Sequence, residues 1–395
     1  MRWAAAHSRL ADGAAAAREA AAAVRAELGE QPIDLALAFL SPHFVSPIAQ
    51  VAATLRESLA PACLMGTTAH GVITREHELE SGVALTLVAA RLPGVALSPF
   101  ILMNETWTDA GRDAAAFARA APGAIGAEVV LLLADPFSLD LEKTLGTFNR
   151  LAPGVRVVGG LASAGARPRS NALILNDWIA NEGGIAVALS GALRADVIVS
   201  QGCRPIGPPL EITRATQNLV LELDGQPALE RIEQVLQGLA AHERESLERG
   251  LYVGRPVSAG AAGRGDYLIR NLLGADRTRG AIAIADVAQP REKLRLHVRD
   301  AAAAREDLEL LLSPQAFDVK ASATLLFACN GRGTGLYGGA DGDIAPLQEA
   351  LGGPVPAAGM FCAGEIGPVG PANYVHGHTA SIVVFRGRDA GREVA

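Results

Sequence analysis

Residues 129–138 read VVLLLADPFS and residues 157–165 read VVGGLASAG. The first is an apolar run closed by Asp135 and Pro136, the mark of a strand buried on both faces and ended by a turn. The second is an apolar run broken by small residues. Between them Leu141, Leu145, Phe148 and Leu151 recur at helical spacing, so the stretch reads as strand, amphipathic helix, strand and glycine loop.

The same order occurs twice more. IDLALAFLSPHF (33–44) precedes a helix on Ile48, Val51, Leu55 and Leu59, then CLMGTTAHG (63–71). TLLFACNGRG (324–333) precedes a shorter helix on Ile344, Leu347 and Leu351, then AAGMFCAGEIG (357–367). Each copy shows a G-x4-G: Gly66 to Gly71, Gly160 to Gly165, Gly359 to Gly364. The separations from Ser41, Asp135 and Cys329 to the first glycine are 25, 25 and 30 residues. A further apolar strand follows each loop: GVALTLVAA (82–90), GGIAVALS (183–190) and TASIVVF (379–385). A strand, crossover helix and second strand make a parallel pair, to which the following strand can return antiparallel. The expectation is an α/β protein with mixed sheets built from three such units, in two domains, 1–222 and 223–385, with a polar tail at 386–395.

Between the second and third copies the strands are DVIVSQGCRPIG (196–207), PLEITRATQNLVLELDG (209–225), YLIRNLLGAD (267–276), GAIAIADV (280–287) and KLRLHVRD (293–300). Residues 227–249 read as one helix with Pro227 near its start, and AAAAREDLELLL (301–312) as another. At the amino terminus, DGAAAAREAAAAVRAELG (12–29) reads as a helix with Asp12 as N-cap and Gly29 past its end.

Composition narrows the function classes. The 395 residues are 49% hydrophobic and 19% charged, with a net charge of −7. No cluster of Lys and Arg stands out, so a nucleic acid is not an expected partner. Charges interrupt the alanine-rich start, and no stretch approaches the ~20 apolar residues of a membrane span, so neither a signal peptide nor a membrane segment is expected. Four cysteines without a CxxC pair suit free thiols in the cytoplasm.

FACNGRG (327–333), the GxxCxGEIGP pattern (359–368) and HGHTASIVVF (376–385) resemble the carboxyl-terminal half of the FIST domain (F-box and intracellular signal transduction). DLALAF (34–39), ACLMGTTAHGVI (62–73), VVGGLASAG (157–165) and GGIAVALSG (183–191) resemble its amino-terminal half. The resemblance covers roughly residues 30 to 385. It implies a sensory module for a small polar metabolite, an amino acid or related small carboxylate. The first 30 residues do not resemble an F-box, so a stand-alone sensor acting on a separate signalling protein is expected.

Chemistry-bearing residues gather in the third copy. CNGRGTGLYGG (329–339) contains a GxGxxG, Gly333 to Gly338, whose backbone N–H groups suit an anion at a helix start. No GK[ST] follows, which excludes a Walker A loop, and no acidic residue ends the next strand as a dinucleotide site requires. Arg332 suits a ligand carboxylate, or an ion pair with Glu365 or Asp341. Glu365 stands where the other copies have Val72 and Ala166. The expected ligand-binding set is Cys329, Asn330, Gly331, Arg332, Gly333, Cys362, Gly364, Glu365, His376 and His378. No cofactor and no metal are expected, since the cysteines lack the tight spacing of zinc sites. The alternative is a hydrolase or transferase using Cys329 with His378 and Glu365, and the third reading is a protein-interaction scaffold.

Overall fold

The computed structural model describes residues 1–247, 250–257 and 267–388. They fall into two compact units: residues 1–199, 309–375 and 379 onward in the first, 200–308 with 376–378 in the second.

The three copies are real repeats, and all three lie in the first unit. Each opening strand (Leu35–Leu40, Val129–Ala134, Ala323–Cys329) pairs in parallel with the strand beyond its crossover helix (Cys63–Thr68, Arg156–Leu161, Ala357–Cys362). Each return strand (Leu85–Arg91, Gly184–Gly191, Thr379–Gly387) lies antiparallel on the other side of the opening strand. A strand preceding the group completes that edge: Arg2–Ser8, Val95–Leu102 and Leu193–Gln201 respectively.

The other edge is exchanged between repeats. The hairpin after the first glycine loop, Val72–Ile73 with Glu78–Leu79, joins the third sheet. The second repeat's hairpin, Leu173–Leu175 with Trp178–Ala180, joins the first sheet, and the third repeat's, Glu365–Val369 with Ala372–His376, joins the second. Each six-stranded sheet is therefore completed by residues from another repeat. Nothing in the two-residue strands 72–73 and 78–79 announces this in the sequence.

Burial on both faces explains the uninterrupted apolar strands. Leu35, Leu37 and Phe39 share one cluster with Leu131, Leu133, Leu325 and Phe327, so all three sheets contribute to a common core. Ala36, Ala38 and Leu40 face the other way, onto the helices 13–28 and 48–59. Val130 and Leu132 likewise meet Leu145 and Phe148 of the helix Leu141–Leu151. Asp12 caps the first helix, its Oδ1 accepting the Ala15 N–H at 2.7 Å.

The glycine register needs one correction. Gly66, Gly159 and Gly359 stand opposite Ala38, Leu132 and Leu326 in the parallel pairs. A Cβ there would meet the facing carbonyl oxygen at 2.6, 1.8 and 1.9 Å. The equivalent of Gly66 in the second repeat is thus Gly159, not Gly160. Gly160 has another reason to be glycine: a Cβ on it would lie 2.4 Å from the Cys362 Sγ.

In the second unit the strands Cys203–Thr216, Lys293–Arg299, Leu251–Pro256, Tyr267–Asp276, Ala281–Ile284 and Leu219–Leu223 pair antiparallel in that order, and the last pairs with the first. The ring is closed. Its core includes Ile232 and Val235 of the helix Ala228–Gln237. The single helix expected over 227–249 is two, Ala228–Gln237 and Ala241–Ser246, because the chain turns at Gly238.

The expected tail also begins later. The last strand runs to Gly387, and Arg386 is buried, donating to Asp196 and to the Val319 carbonyl, each at 2.6 Å. Residues 389–395 lie outside the described residues.

Candidate functional site

The glycine loops of all three repeats meet at Ser163. Its N–H donates to the Thr68 carbonyl, its Oγ accepts the His70 N–H at 2.8 Å and donates to the Phe361 carbonyl at 2.5 Å. The polar residues that end the opening strands differ around this junction. Ser41 Oγ accepts the Ala84 N–H. Asp135 accepts from Asn171 Nδ2, Ser138 Oγ and the Phe137 N–H, so both its oxygens are used. The third repeat is built otherwise.

There Cys329 and Cys362 stand side by side as register partners, and the Asn330 N–H donates to the Cys362 carbonyl at 2.9 Å. Arg332 turns inward to 1% exposure and forms a two-pronged pair with Asp343, Nε to Oδ2 at 2.8 Å and Nη2 to Oδ1 at 2.6 Å. Tyr337 closes the triangle, accepting from Arg332 Nη2 and donating to Asp343 Oδ1. The sequence pointed to Glu365 or Asp341 as the ion-pair partner. Asp343 takes that place because it precedes the helix Ile344–Ala350 and sits eleven residues on, while Asp341 is occupied by His77 and the Glu78 N–H.

Among the described residues, Arg332 Nη1 and Glu365 Oε1 of this repeat are buried with no hydrogen-bond partner, and so is Glu78 Oε2, which approaches from the first repeat. Glu365 is 0% exposed. Its Oε2 accepts the Thr379 N–H and Oγ–H, while the Cys329 thiol, a weak donor, is the further neighbour that reaches the carboxyl. Burial raises Glu365 to about 8, against the opposing pull of the Thr379 bonds and Arg332. Cys362 is fully buried and packs over Gly160, and burial with the nearby Glu365 pushes its thiol well up. It is a packing residue with little thiolate to react.

The GxGxxG loop already holds an anion of its own. Gly333, at φ +60, opens the short helix Thr334–Tyr337, and Glu80 accepts the Thr334 N–H and Oγ–H at 2.8 and 2.9 Å. Glu78 does the same at the next helix, accepting the Asp343 and Ile344 N–H groups, both at 2.8 Å. Both carboxylates come from the exchanged hairpin of the first repeat. Sequence reading missed them and Asp343; the Glu-Leu-Glu alternation at 78–80, which puts two acids on one side of a strand, was the available signal. Burial and the charge of Asp343 raise Glu78 to about 7.

These two carboxyls give stability a definite pH dependence. The folded state favours their protonated forms, so the contribution is complete below the ordinary value of 4.5 and is lost as pH rises through about 7 and about 8. From these groups the unfolding free energy is expected to fall by roughly a few kcal/mol over that interval. Glu365→Gln should flatten the upper part, as denaturant titrations at stepped pH will read; an unaltered slope in the variant contradicts the assignment.

His376 and His378 belong to the second compact unit. His378 lies against the Tyr252 ring at 4.3 Å, and its Nε2 is 2.9 Å from Asn271 Oδ1. Among the described residues no group of three or more His, Cys, Asp or Glu is placed to hold a metal ion, and no helix is long and apolar enough to cross a membrane.

A fold of repeated α/β units with a buried charged cluster at one repeat defines a class that comparison makes specific. The FIST N domain matches residues 34–226 and the FIST C domain residues 228–368. The chain belongs to the FIST family, whose domains are sensory, signal-transduction domains. The two family models change over between 226 and 228, whereas the compact units divide elsewhere because the third repeat rejoins the first two. An uncharacterized protein of Mycobacterium tuberculosis (strain CDC 1551 / Oshkosh) is 38% identical over 374 residues, 94% of this chain and 96% of the relative. One of Mycobacterium bovis (strain ATCC BAA-935 / AF2122/97) is 37% identical over 379 residues, 95% and 96% of the two chains. Among solved structures, cyanuric acid hydrolase from A. caulinodans aligns over 98% of this chain and 100% of its own at 10% identity and a TM-score of 0.37, too distant to carry an argument.

Proposed function

We propose that this protein is a sensor of a small zwitterionic metabolite, an amino acid or close relative, bound beside Arg332 and Glu365. The observation that supports the reading is the pair of orphan groups: a buried guanidinium N–H and a buried carboxyl oxygen, of opposite chemistry, in the one repeat that departs from its siblings. Buried polar groups are nearly always satisfied, so an unmet donor and an unmet acceptor within one repeat call for an explanation. A ligand carboxylate answers Arg332 Nη1, and an ammonium answers Glu365 Oε1. Asp343 and Tyr337 then position Arg332, with the backbone of Cys329, Asn330, Gly331, Gly333, Cys362 and Gly364 forming the loops around it. Cys329, Gly331 and Asn330 run from half-exposed to exposed, which gives a ligand a route through the loop.

Signalling would follow from the Glu80 clamp on Thr334. A ligand that moves the loop 329–338 changes the surface shown to a partner protein, provided it binds one loop arrangement better than the other. Thermal unfolding against the twenty standard amino acids tests the reading. At least one should raise the melting temperature of the native chain, since a ligand at a hundred times its Kd stabilises by about 2.7 kcal/mol, and the rise should vanish in Glu365→Gln. No rise with any amino acid, or an equal rise in the variant, overturns it.

A further inference from the structure

We infer that the second repeat's hairpin, together with the first repeat onto whose sheet it is exchanged, forms a separate binding site for a small monocarboxylate with an apolar body. A cleft of about 310 Å³ is lined there by Val45, Ile48 and Ile179 together with Arg169, Asn171 and Asn181. The inference does not rest on the proposed sensing function.

The lining states the ligand's chemistry. Val45 follows the short turn Pro42–Phe44, Ile48 begins the first repeat's crossover helix, and Ile179 comes from the second repeat's hairpin, where it stays 36% exposed. They give apolar surface to a short hydrocarbon. Among the described residues of the lining, Arg169 supplies the one cation. Its guanidinium is largely exposed and has only a long 3.8 Å contact with Glu182, so its paired N–H donors remain able to grip a carboxylate. One cation flanked by two neutral amides matches a single negative charge better than a phosphate dianion.

Asn171 makes the base of this site rigid. It is 1% exposed, its Oδ1 accepts the Gly165 N–H at 3.0 Å and its Nδ2 donates to Asp135 Oδ1 at 3.0 Å. Asp135 ends the second opening strand, as Cys329 ends the third. The cleft thus lies where the second repeat's hairpin joins the first sheet, with Asn171 linking it to the end of the second opening strand. Its volume lies at the lower limit of the ~300–1,000 Å³ of small-molecule sites, which suits a short-chain acid and excludes a dinucleotide.

The test is titration calorimetry with a series of monocarboxylates from butanoate to octanoate, each beside its uncharged amide. At least one acid should bind saturably to the native chain and its amide about tenfold or more weakly. Arg169→Gln, which removes only the long contact to Glu182 and leaves the fold intact, should weaken the acid by about tenfold or more, while Glu365→Gln should leave it unchanged. Absence of saturable binding by every acid, equal binding of acid and amide, or a loss in Glu365→Gln without one in Arg169→Gln each overturns the inference.

Discussion

Asp343→Ala should destabilise the protein by about 3–5 kcal/mol, the usual cost of removing one partner from a buried ion pair. Arg332 is 1% exposed and Asp343 0%. Deleting the carboxylate strands a guanidinium that already has one unpartnered N–H, and removes the acceptor on which Tyr337 Oη–H depends. The cost reflects the stranded charge more than the worth of the pair. A double variant, Arg332→Met with Asp343→Leu, should therefore recover much of the loss, since a buried pair replaced by apolar groups of similar volume is often neutral. Equilibrium denaturation of the single and double variants separates the two contributions. A single variant that loses less than about 1 kcal/mol would mean that the pair is solvated.

Gly359→Ala should also be strongly damaging, at or beyond the ~1–3 kcal/mol usual for overpacking a core. The added Cβ falls 1.9 Å from the Leu326 carbonyl oxygen, and a backbone atom in the middle of a parallel pair cannot swing aside as a side chain can. Gly159→Ala meets the Leu132 oxygen at 1.8 Å in the equivalent place and should behave alike. Gly146, on the second crossover helix with nothing within 4 Å of its added Cβ, is the control. Replacing it by Ala should be neutral or stabilising by roughly 0.5–1 kcal/mol through helix propensity. Thermal melts of the three variants should show two large losses and no loss; equal effects would refute the close-approach explanation.

The repeats were legible because strands buried on both faces write continuous apolar runs, and because the close approach of two backbones demands glycine. That same rule blurred the second copy. Gly159 and Gly160 are adjacent and both obligatory, one against Leu132 O and the other against Cys362 Sγ, so spacing alone could not say which matched Gly66. The exchanged hairpins escaped notice because strands of two to five residues are too short to show a period. The strand Arg2–Ser8 escaped because its alanines look like the helix that follows.

Much the same limit governed the site. Arg332 and Glu365 stood out as charges in a glycine-rich setting. Their surroundings did not, because Glu78 and Glu80 approach from a hairpin more than 250 residues earlier in the chain. The GxGxxG loop looked ready for an external anion, and physically it is an anion site, but Glu80 already fills that role.

A ligand ammonium set against Glu365 should displace a measurable proton. Glu365 is held protonated up to about pH 8 by burial, and an ammonium beside it favours the ionised form. Titration calorimetry near neutral pH, in two buffers of different ionisation enthalpy, with whichever amino acid most raises the melting temperature, counts the protons exchanged. The account predicts release of close to one proton on binding to the native chain; binding without proton release there, or binding of equal affinity in Glu365→Gln, would contradict it.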